Sequence, residues 1–199
     1  MINKFTISAI IIAVLAVGVM ITRFSNSPQM TPPVSSPDVK LPNAELLDQN
    51  GVTVRFASDI VGNRIIALNF IYTDCSTACP VVSAIFSKLQ GQLGEKLKQD
   101  VRMVSLSINP TTDTPERLKA YAEHFHPEPG WVWLTGEKAQ VDVLLKGLGV
   151  YRADYTNHTP VILVGDPIRD VWTRFNGFST PEAIAARIDE LLVARHEKS

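Results

Sequence analysis

The stretch Ile65-Ile-Ala-Leu-Asn-Phe-Ile71, followed directly by Tyr72-Thr-Asp-Cys75-Ser-Thr-Ala-Cys79-Pro80, holds both cysteines of the 199-residue chain. Its apolar first part has the length and the branched and aromatic residues of a strand buried on both faces. Pro80 suits the first position of a helix, because it has no N–H to leave unpaired, and apolar residues then recur at helical spacing as far as Leu93. The sequence therefore predicts two thiols where a central strand passes into a helix, a place where open α/β sheets bind ligands.

The remaining secondary structure follows from turn signals and apolar periodicity. Asn50-Gly51 predicts a tight turn between two strands, because both residues accept positive φ. The predicted strands lie near 44–48, 52–56, 101–108, 131–134, 159–164 and 171–176, and the later helices at about 115–124, at 137–148 and from 180 onwards. Thr112 or Asp113 is the expected N-terminal cap of the helix at 115–124. This order, a hairpin and then β-α-β-α-β-α-β-β-α, predicts an α/β thioredoxin-like fold in which helices flank a mixed central sheet.

The composition limits the classes of function. With 19 basic and 20 acidic side chains the formal net charge is -1, so no strong field draws the chain to nucleic acid, and no nucleic-acid partner is expected. Two cysteines do not make the disulfide scaffold of a small secreted protein, and a domain of this size does not need one. Because the two cysteines are close in sequence, we expect them to act together at a functional site.

The N-terminal region predicts a membrane anchor. An uncharged run of 18 residues, 5–22, lies between Lys4 and Arg23, and we interpret residues 1–25 as an uncleaved membrane anchor, with cleavage as a signal peptide as the alternative. Residues 26–40 are rich in proline and serine and predict an extended tether, followed by the thioredoxin-like domain at 41–199. A domain after a first apolar segment is usually exported. The expected placement is therefore the inner membrane, with the N-terminus inside and the domain on the outer, periplasmic side.

Cys75 and Cys79 are four residues apart, so their sulfurs can meet and can form a disulfide. The helix N-terminus should lower the pKa of a thiol here, and neighbouring Asp74 should raise it. Two thiolates select copper(I), zinc or another sulfur, and a third ligand would decide among these. Three histidines, His124, His126 and His196, are predicted to lie on the surface. His158, which precedes a predicted strand, is the candidate third ligand; two thiolates and one imidazole suit an open copper site better than a four-ligand zinc site.

Several runs of this sequence resemble the SCO/SenC proteins. They are the stretch from Asn69 to Pro80, Ser107-Ile-Asn-Pro-Thr-Thr-Asp-Thr-Pro115, Gly130-Trp-Val-Trp-Leu-Thr-Gly136 and Asn157-His158-Thr159. The resemblance extends over about residues 40–195 in order, which is far more specific than a bare pair of cysteines. It implies a membrane-anchored thioredoxin-like domain that binds copper through Cys75, Cys79 and His158.

The resemblance also implies a role and partners. The SCO/SenC proteins are associated with assembly of the binuclear copper centre of cytochrome c oxidase, so the implied partners are a copper-receiving oxidase subunit, a copper donor and a thiol reductant. The expected cargo is copper, as Cu(I) and also as Cu(II), and the implied role is that of a metallochaperone more than of an enzyme. Two positions depart from the family's usual pattern, because Asn109 and Asn157 stand where an aspartate is common. Asp74 is a candidate to replace one of these acids beside the ligands.

Two other functions use the same pair of thiols. The first is that of an exported thiol–disulfide oxidoreductase, although dedicated enzymes of this fold use a two-residue spacing and need no histidine. The second is that of a copper or redox sensor.

Close to the proposed histidine ligand, the Thr159–Pro160 bond is predicted to be trans, because only about one X–Pro bond in twenty is cis in folded proteins.

Overall fold

The computed structural model describes residues 33–35, 38–154 and 159–197, in which a single mixed sheet of eight strands carries helices on both faces. The strands are β1 (Val34–Ser35), β2 (Glu45–Asp48), β3 (Thr53–Arg55), β4 (Ile65–Ile71), β5 (Val101–Ser107), β6 (Trp131–Thr135), β7 (Val161–Asp166) and β8 (Val171–Asn176). The helices are α1 (Ala78–Leu93), α2 (Lys96–Gln99), α3 (Pro115–Glu123), α4 (Lys138–Gly147) and α5 (Pro181–His196), and a π-helical segment, Phe56–Val61, follows β3.

The strand order across the sheet is β1-β8-β7-β4-β5-β6-β2-β3. The central strands β4, β5 and β6 run parallel, as right-handed crossovers through helices require. On the other side of β4, strand β7 is antiparallel, with Ile162 opposite Asn69. The site therefore lies at the carboxyl end of β4, where a parallel neighbour and an antiparallel neighbour flank the same strand.

Two apolar layers hold the sheet. All seven residues of β4 are buried, and six of them are apolar, the exception being Asn69. One layer packs under α1, α3 and α5 and includes Phe86, Trp133 and both cysteines; the other packs under α4 and the π-helical segment and includes Phe56 and Leu144. A fully buried apolar side chain contributes about 1.5–3 kcal/mol relative to exposure, and the two thiols lie within this stabilising core.

Most predicted elements are confirmed within one or two residues. The turn at Asn50-Gly51 is present, but of these two residues only Gly51 has positive φ, at 77°. Asp48 accepts from the N–H of Asn50 and of Val52. The Thr159–Pro160 bond is trans as predicted, because the described residues contain no cis peptide. A thioredoxin-like α/β arrangement of hairpin, central sheet and helices is what the order of elements predicted.

Three details differ from the prediction. Pro80 is the third residue of α1, not the first, which its missing N–H still permits because the first N–H groups of a helix have no partner within it. The side chain that caps α3 is Thr114, which accepts from Arg117 N, and not Thr112 or Asp113. Strand β7 begins two residues later than predicted, at Val161.

Part of the predicted tether contacts the sheet. Val34–Ser35 pairs with β8, Val39 is buried, and the N–H of Lys40 donates to Gly147 O at 2.7 Å. The predicted anchor at residues 5–22 lies outside the described residues. Within the described part of the chain, none of the helices has the length and apolar character to cross a membrane.

Candidate functional site

Cys75 and Cys79 lie on either side of the start of α1. A turn after β4 brings Cys75 into place, with its N–H donating to Tyr72 O at 3.1 Å, and α1 begins at Ala78. The N–H of Cys79 then donates to Cys75 Sγ at 3.3 Å, so one of the free N–H groups of the helix end is satisfied by sulfur. Both side chains are buried, at 7% and 3% exposure, and both are free thiols.

The two thiols differ in acidity. Burial tends to raise the pKa of Cys75, but hydrogen bonds from the Cys79 thiol and from the N–H groups of Cys79 and Thr77 outweigh it and lower this pKa to about 7. Burial, together with the hydrogen bond to Cys75, raises the pKa of Cys79 to about 12. Cys75 is therefore the thiolate of the pair near neutral pH, and Cys79 is its proton-donating neighbour.

A small pocket of about 50 Å³ adjoins the sulfurs. Its lining residues come from the end of β4, the start of α1 and the chain before β7, namely Phe70, Tyr72, Cys75, Thr77, Ala78, Cys79, Val82 and Pro160. Pro160 is anchored by its carbonyl, which accepts from Gly177 N at 2.7 Å. Pro160, two residues after the proposed histidine ligand in the sequence, therefore lies beside the thiols.

Asp113 fixes the loop that carries Cys75. Its carboxylate is fully buried and accepts from Thr73 N at 3.2 Å, from Thr73 Oγ1 at 2.6 Å and from Ser107 Oγ at 2.6 Å. The loop after β4 is in this way tied to the end of β5. Because a buried carboxylate needs such donors, removing either side would leave unpaired polar groups.

Asp74 takes part in a neighbouring interaction on the surface. Arg117 Nη2 lies 2.5 Å from Asp74 Oδ1 and 3.1 Å from Thr73 Oγ1. Of the two opposing effects expected from the sequence, lowering by the helix N-terminus and raising by Asp74, the net result at Cys75 is a lowered pKa. The groups with the largest effects on this pKa do not include Asp74. The carboxylate is directed to Arg117, whose positive charge compensates it.

The other residues proposed from the sequence are placed as follows. Asn109 lies away from the pocket at the sulfurs and lines a larger cavity on the α4 side, and its N–H donates to Ser107 Oγ at 3.1 Å. Asn157 and His158 lie outside the described residues. His124, His126 and His196 are exposed, as predicted. Among the residues that the structure describes, no three His, Cys, Asp or Glu side chains form a group able to hold a metal ion.

Asp113 is the residue of this site that the sequence interpretation missed. Local pattern favoured a helix-capping role, because Asp113 comes shortly before a Thr-Pro-Glu helix start. Its partner Thr73 is 40 residues away. The available signal was its place in the loop between β5 and α3, since the ends of adjacent parallel strands meet at one edge of a sheet.

The fold and the site together define a thioredoxin-like protein with a buried dithiol at its central strand–helix junction. The SCO1/SenC family model matches residues 37–193, which is most of the chain. The chain belongs to the SCO1/SenC family.

Relatives and solved structures agree with this assignment. A protein of Stutzerimonas stutzeri named as copper-binding is 32% identical over 110 residues, 55% of this chain and 52% of that protein. The SCO1 protein homolog of Bacillus subtilis is 38% identical over 69 residues, 34% of this chain and 35% of that one. These alignments span about half, or less, of the relatives' length.

Solved structures extend the likeness over more of the fold. Copper-bound ScoI of Bradyrhizobium japonicum is 26% identical, with a TM-score of 0.61 over 74% of this chain and 96% of that one. BsSco, described as a Sco-family cytochrome c oxidase assembly protein with a disulfide switch, is 21% identical with a TM-score of 0.64, over 82% of this chain and 97% of that one. The second comparison bears on the fold alone.

Proposed function

We propose that this protein binds one copper ion through Cys75, Cys79 and His158 and delivers it to a copper-receiving subunit of cytochrome c oxidase. The observation that carries the proposal is the pair of buried thiols at the start of α1, one of which already accepts a backbone N–H at its sulfur. The copper-bound Bradyrhizobium relative and the copper-binding name of the Stutzerimonas relative support it.

The donor set fits copper as cargo. Two thiolates are soft ligands that suit Cu(I), and an imidazole as third ligand leaves the site open on one side for a recipient's own ligands. A closed zinc site would need four protein ligands. Cys75 and Cys79 supply two of the three donors in this proposal, and His158, which the resemblance to the family implies, supplies the third.

Copper bound per chain tests the proposal directly. Purified reduced protein loaded with Cu(I) and then dialysed against a competing chelator should retain about one copper per chain, and the double variant Cys75→Ser/Cys79→Ser should retain none. His158→Ala should retain markedly less than wild type. His124→Ala is the matched control, because His124 is exposed and its Nδ1 contacts only backbone carbonyls among the described groups. Equal retention by His158→Ala and His124→Ala would remove His158 from the site.

Delivery, as distinct from binding, is proposed to depend on the anchor at residues 1–25. An anchor with a tether keeps the domain near membrane-bound partners and raises their effective concentration without any new contact. A fragment that begins at Pro33 keeps β1 and the buried Val39, and should therefore bind copper normally. The same fragment, exported at ordinary levels into cells that lack the protein, should support oxidase assembly poorly. Full assembly by the fragment would contradict the role of the anchor.

A second function, reduction of a disulfide in the recipient protein, is favoured by the contact between the two thiols and by their unequal acidity. In this proposal the Cys75 thiolate attacks a disulfide of the recipient and forms a mixed disulfide, releasing one recipient thiolate. Cys79 then displaces the second recipient sulfur, so the recipient is reduced and this protein is left with a Cys75–Cys79 disulfide, which an external thiol reductant must reduce. The Cys79→Ser variant should accumulate the mixed disulfide, visible on non-reducing gels. Absence of any such adduct would leave copper delivery as the function.

A further inference from the structure

A second cavity opens at the same edge of the sheet as the thiols, but on the α4 face. Its volume is about 750 Å³, within the range of about 300–1,000 Å³ typical of ligand sites. Phe70 lines this cavity and also the pocket at the sulfurs. Phe70, near the end of β4, therefore contributes to both the cavity and the pocket at the dithiol.

The charged groups of the cavity are predominantly basic. Lys138 Nζ is paired with Asp142, at 2.5 Å. Arg152 and Arg174 also line the cavity, and among the described residues neither has a carboxylate within ion-pair distance. Burial lowers the pKa of Arg174, and repulsion by the positive charge of Arg152 lowers it further. An anion between them would relieve that repulsion and would gain charge-assisted hydrogen bonds.

Arg174 is held in place for such a contact. Its Nε donates to Asn176 Oδ1 at 3.2 Å, and its Nη1 donates to Gly149 O at 3.3 Å. The guanidinium is half-buried against the sheet, so its geometry is set before any ligand arrives. Planar guanidinium groups match carboxylates through two parallel hydrogen bonds, which favours a carboxylate as the anion.

The rest of the lining indicates what the carboxylate is attached to. Apolar walls are provided by Phe70, Ile108, Leu145, Val150 and Val161. Neutral side chains that both donate and accept hydrogen bonds, Asn109, Asn176, Thr111 and Thr159, lie among them. Such groups complement the alternating N–H and C=O groups of a peptide backbone, while the apolar walls accept its side chains. A small free acid would leave most of this volume empty.

We propose that this cavity binds a peptide segment of a partner protein in which an acidic side chain stands beside apolar ones, with Arg152 and Arg174 holding the carboxylate. A partner that docks over Cys75 and Cys79 would have this cavity within reach on the other side of Phe70. The inference does not depend on copper binding, because none of these cavity groups is a proposed copper ligand. It adds a recognition site that the family assignment does not supply.

The probe for the test is acetyl-Phe-Glu-Leu-amide, and its matched control is acetyl-Phe-Gln-Leu-amide. Binding to the full-length, copper-free, reduced protein in detergent micelles is followed by ligand-observed NMR titration. The Glu peptide should bind about tenfold more tightly than the Gln peptide, because a hydrogen-bonded ion pair replaces a neutral contact. Equal binding of the two peptides would overturn the proposal. Free glutarate should bind more weakly than the Glu peptide; equal or tighter binding would overturn the assignment to a peptide.

Variants locate the site. Arg174→Met keeps the apolar stem and removes the charge, and should lower the affinity for the Glu peptide about tenfold while leaving the Gln peptide unchanged. Arg55→Met is the matched control, because Arg55 lies on edge strand β3 in an exposed pair with Glu45. Arg174 also donates to Gly149 O, so a second variant is needed. Arg152 is exposed and its Nη1 donates to the neighbouring Tyr151 O at 2.9 Å, so Arg152→Met removes a local contact only; its expected loss is several-fold. Losses equal to that of Arg55→Met in both cavity variants would refute the site.

Discussion

Asp113→Ala tests whether one buried carboxylate supports the loop that carries Cys75. The substitution removes the acceptor for Thr73 N, Thr73 Oγ1 and Ser107 Oγ, at 3.2, 2.6 and 2.6 Å. A hydrogen bond to a charged group contributes about 1.5–3 kcal/mol, but two of these donors are hydroxyls that can turn to other acceptors or to entering water. We therefore expect the free energy of unfolding to fall by about 3 kcal/mol, mostly from the unpaired donors left behind.

The assay is urea unfolding, with Asp189→Ala as the control. Asp189 also accepts from a cationic group, Lys96 Nζ at 2.7 Å, but both side chains are about half exposed, so its loss should cost no more than about 1 kcal/mol. In Asp113→Asn one amide oxygen still accepts, and the loss should be about half that of the alanine variant. If Asp113→Ala lowered stability no more than Asp189→Ala, the assignment of Asp113 as the support of the loop would be refuted.

Three further predictions follow from other parts of the structure. Iodoacetamide should modify Cys75 before Cys79, with a rate that rises as pH increases through about 7 and then levels off, measured by mass spectrometry of peptides; a rate still rising steeply between about pH 8 and 9 would contradict the lowered pKa. Arg195→Met should lower the free energy of unfolding by about 3–5 kcal/mol in urea, because it leaves the fully buried Asp166 without its bidentate partner. Pro160→Ala should weaken copper retention only modestly, and complete loss of retention would mean that Pro160 does more than stiffen the chain beside the sulfurs.

The features that the sequence predicted correctly depend on local pattern. Strand β4 is recognisable because six of its seven residues are apolar, with Asn69 as the exception, and all seven are buried. The turn at Asn50-Gly51 is recognisable because positive φ restricts the choice of residue. The junction between β4 and α1, with both thiols, follows from these same local rules. The sequence alone was therefore sufficient to predict a functional site at that junction.

The features that were missed depend on contacts between distant segments. Strand β1 has two residues and exists only because β8 offers an unpaired edge, with Val34 opposite Arg174. Nothing in a Pro- and Ser-rich segment predicts that pairing. The role of Asp113 depends on Thr73, 40 residues away, and the basic cavity is lined by strand ends, α4 and the segment that follows α4. Such sites become visible only when the sheet order is known.

For the proposed copper site, the unequal acidity of the thiols also predicts how many protons a bound copper ion displaces. Both thiols must be deprotonated to bind Cu(I). With a pKa of about 7, Cys75 is half ionised at pH 7 and fully ionised at pH 9, whereas Cys79, with a pKa of about 12, holds its proton at both. Proton release per copper should therefore fall from about 1.5 at pH 7 to about 1 at pH 9. Calorimetry in buffers of different ionisation enthalpy measures it, with His158→Ala as the reference that removes any imidazole proton. A release of about 2 at both pH values would show that Cys75 is not a thiolate at pH 9, and would refute the asymmetry on which the second proposed function rests.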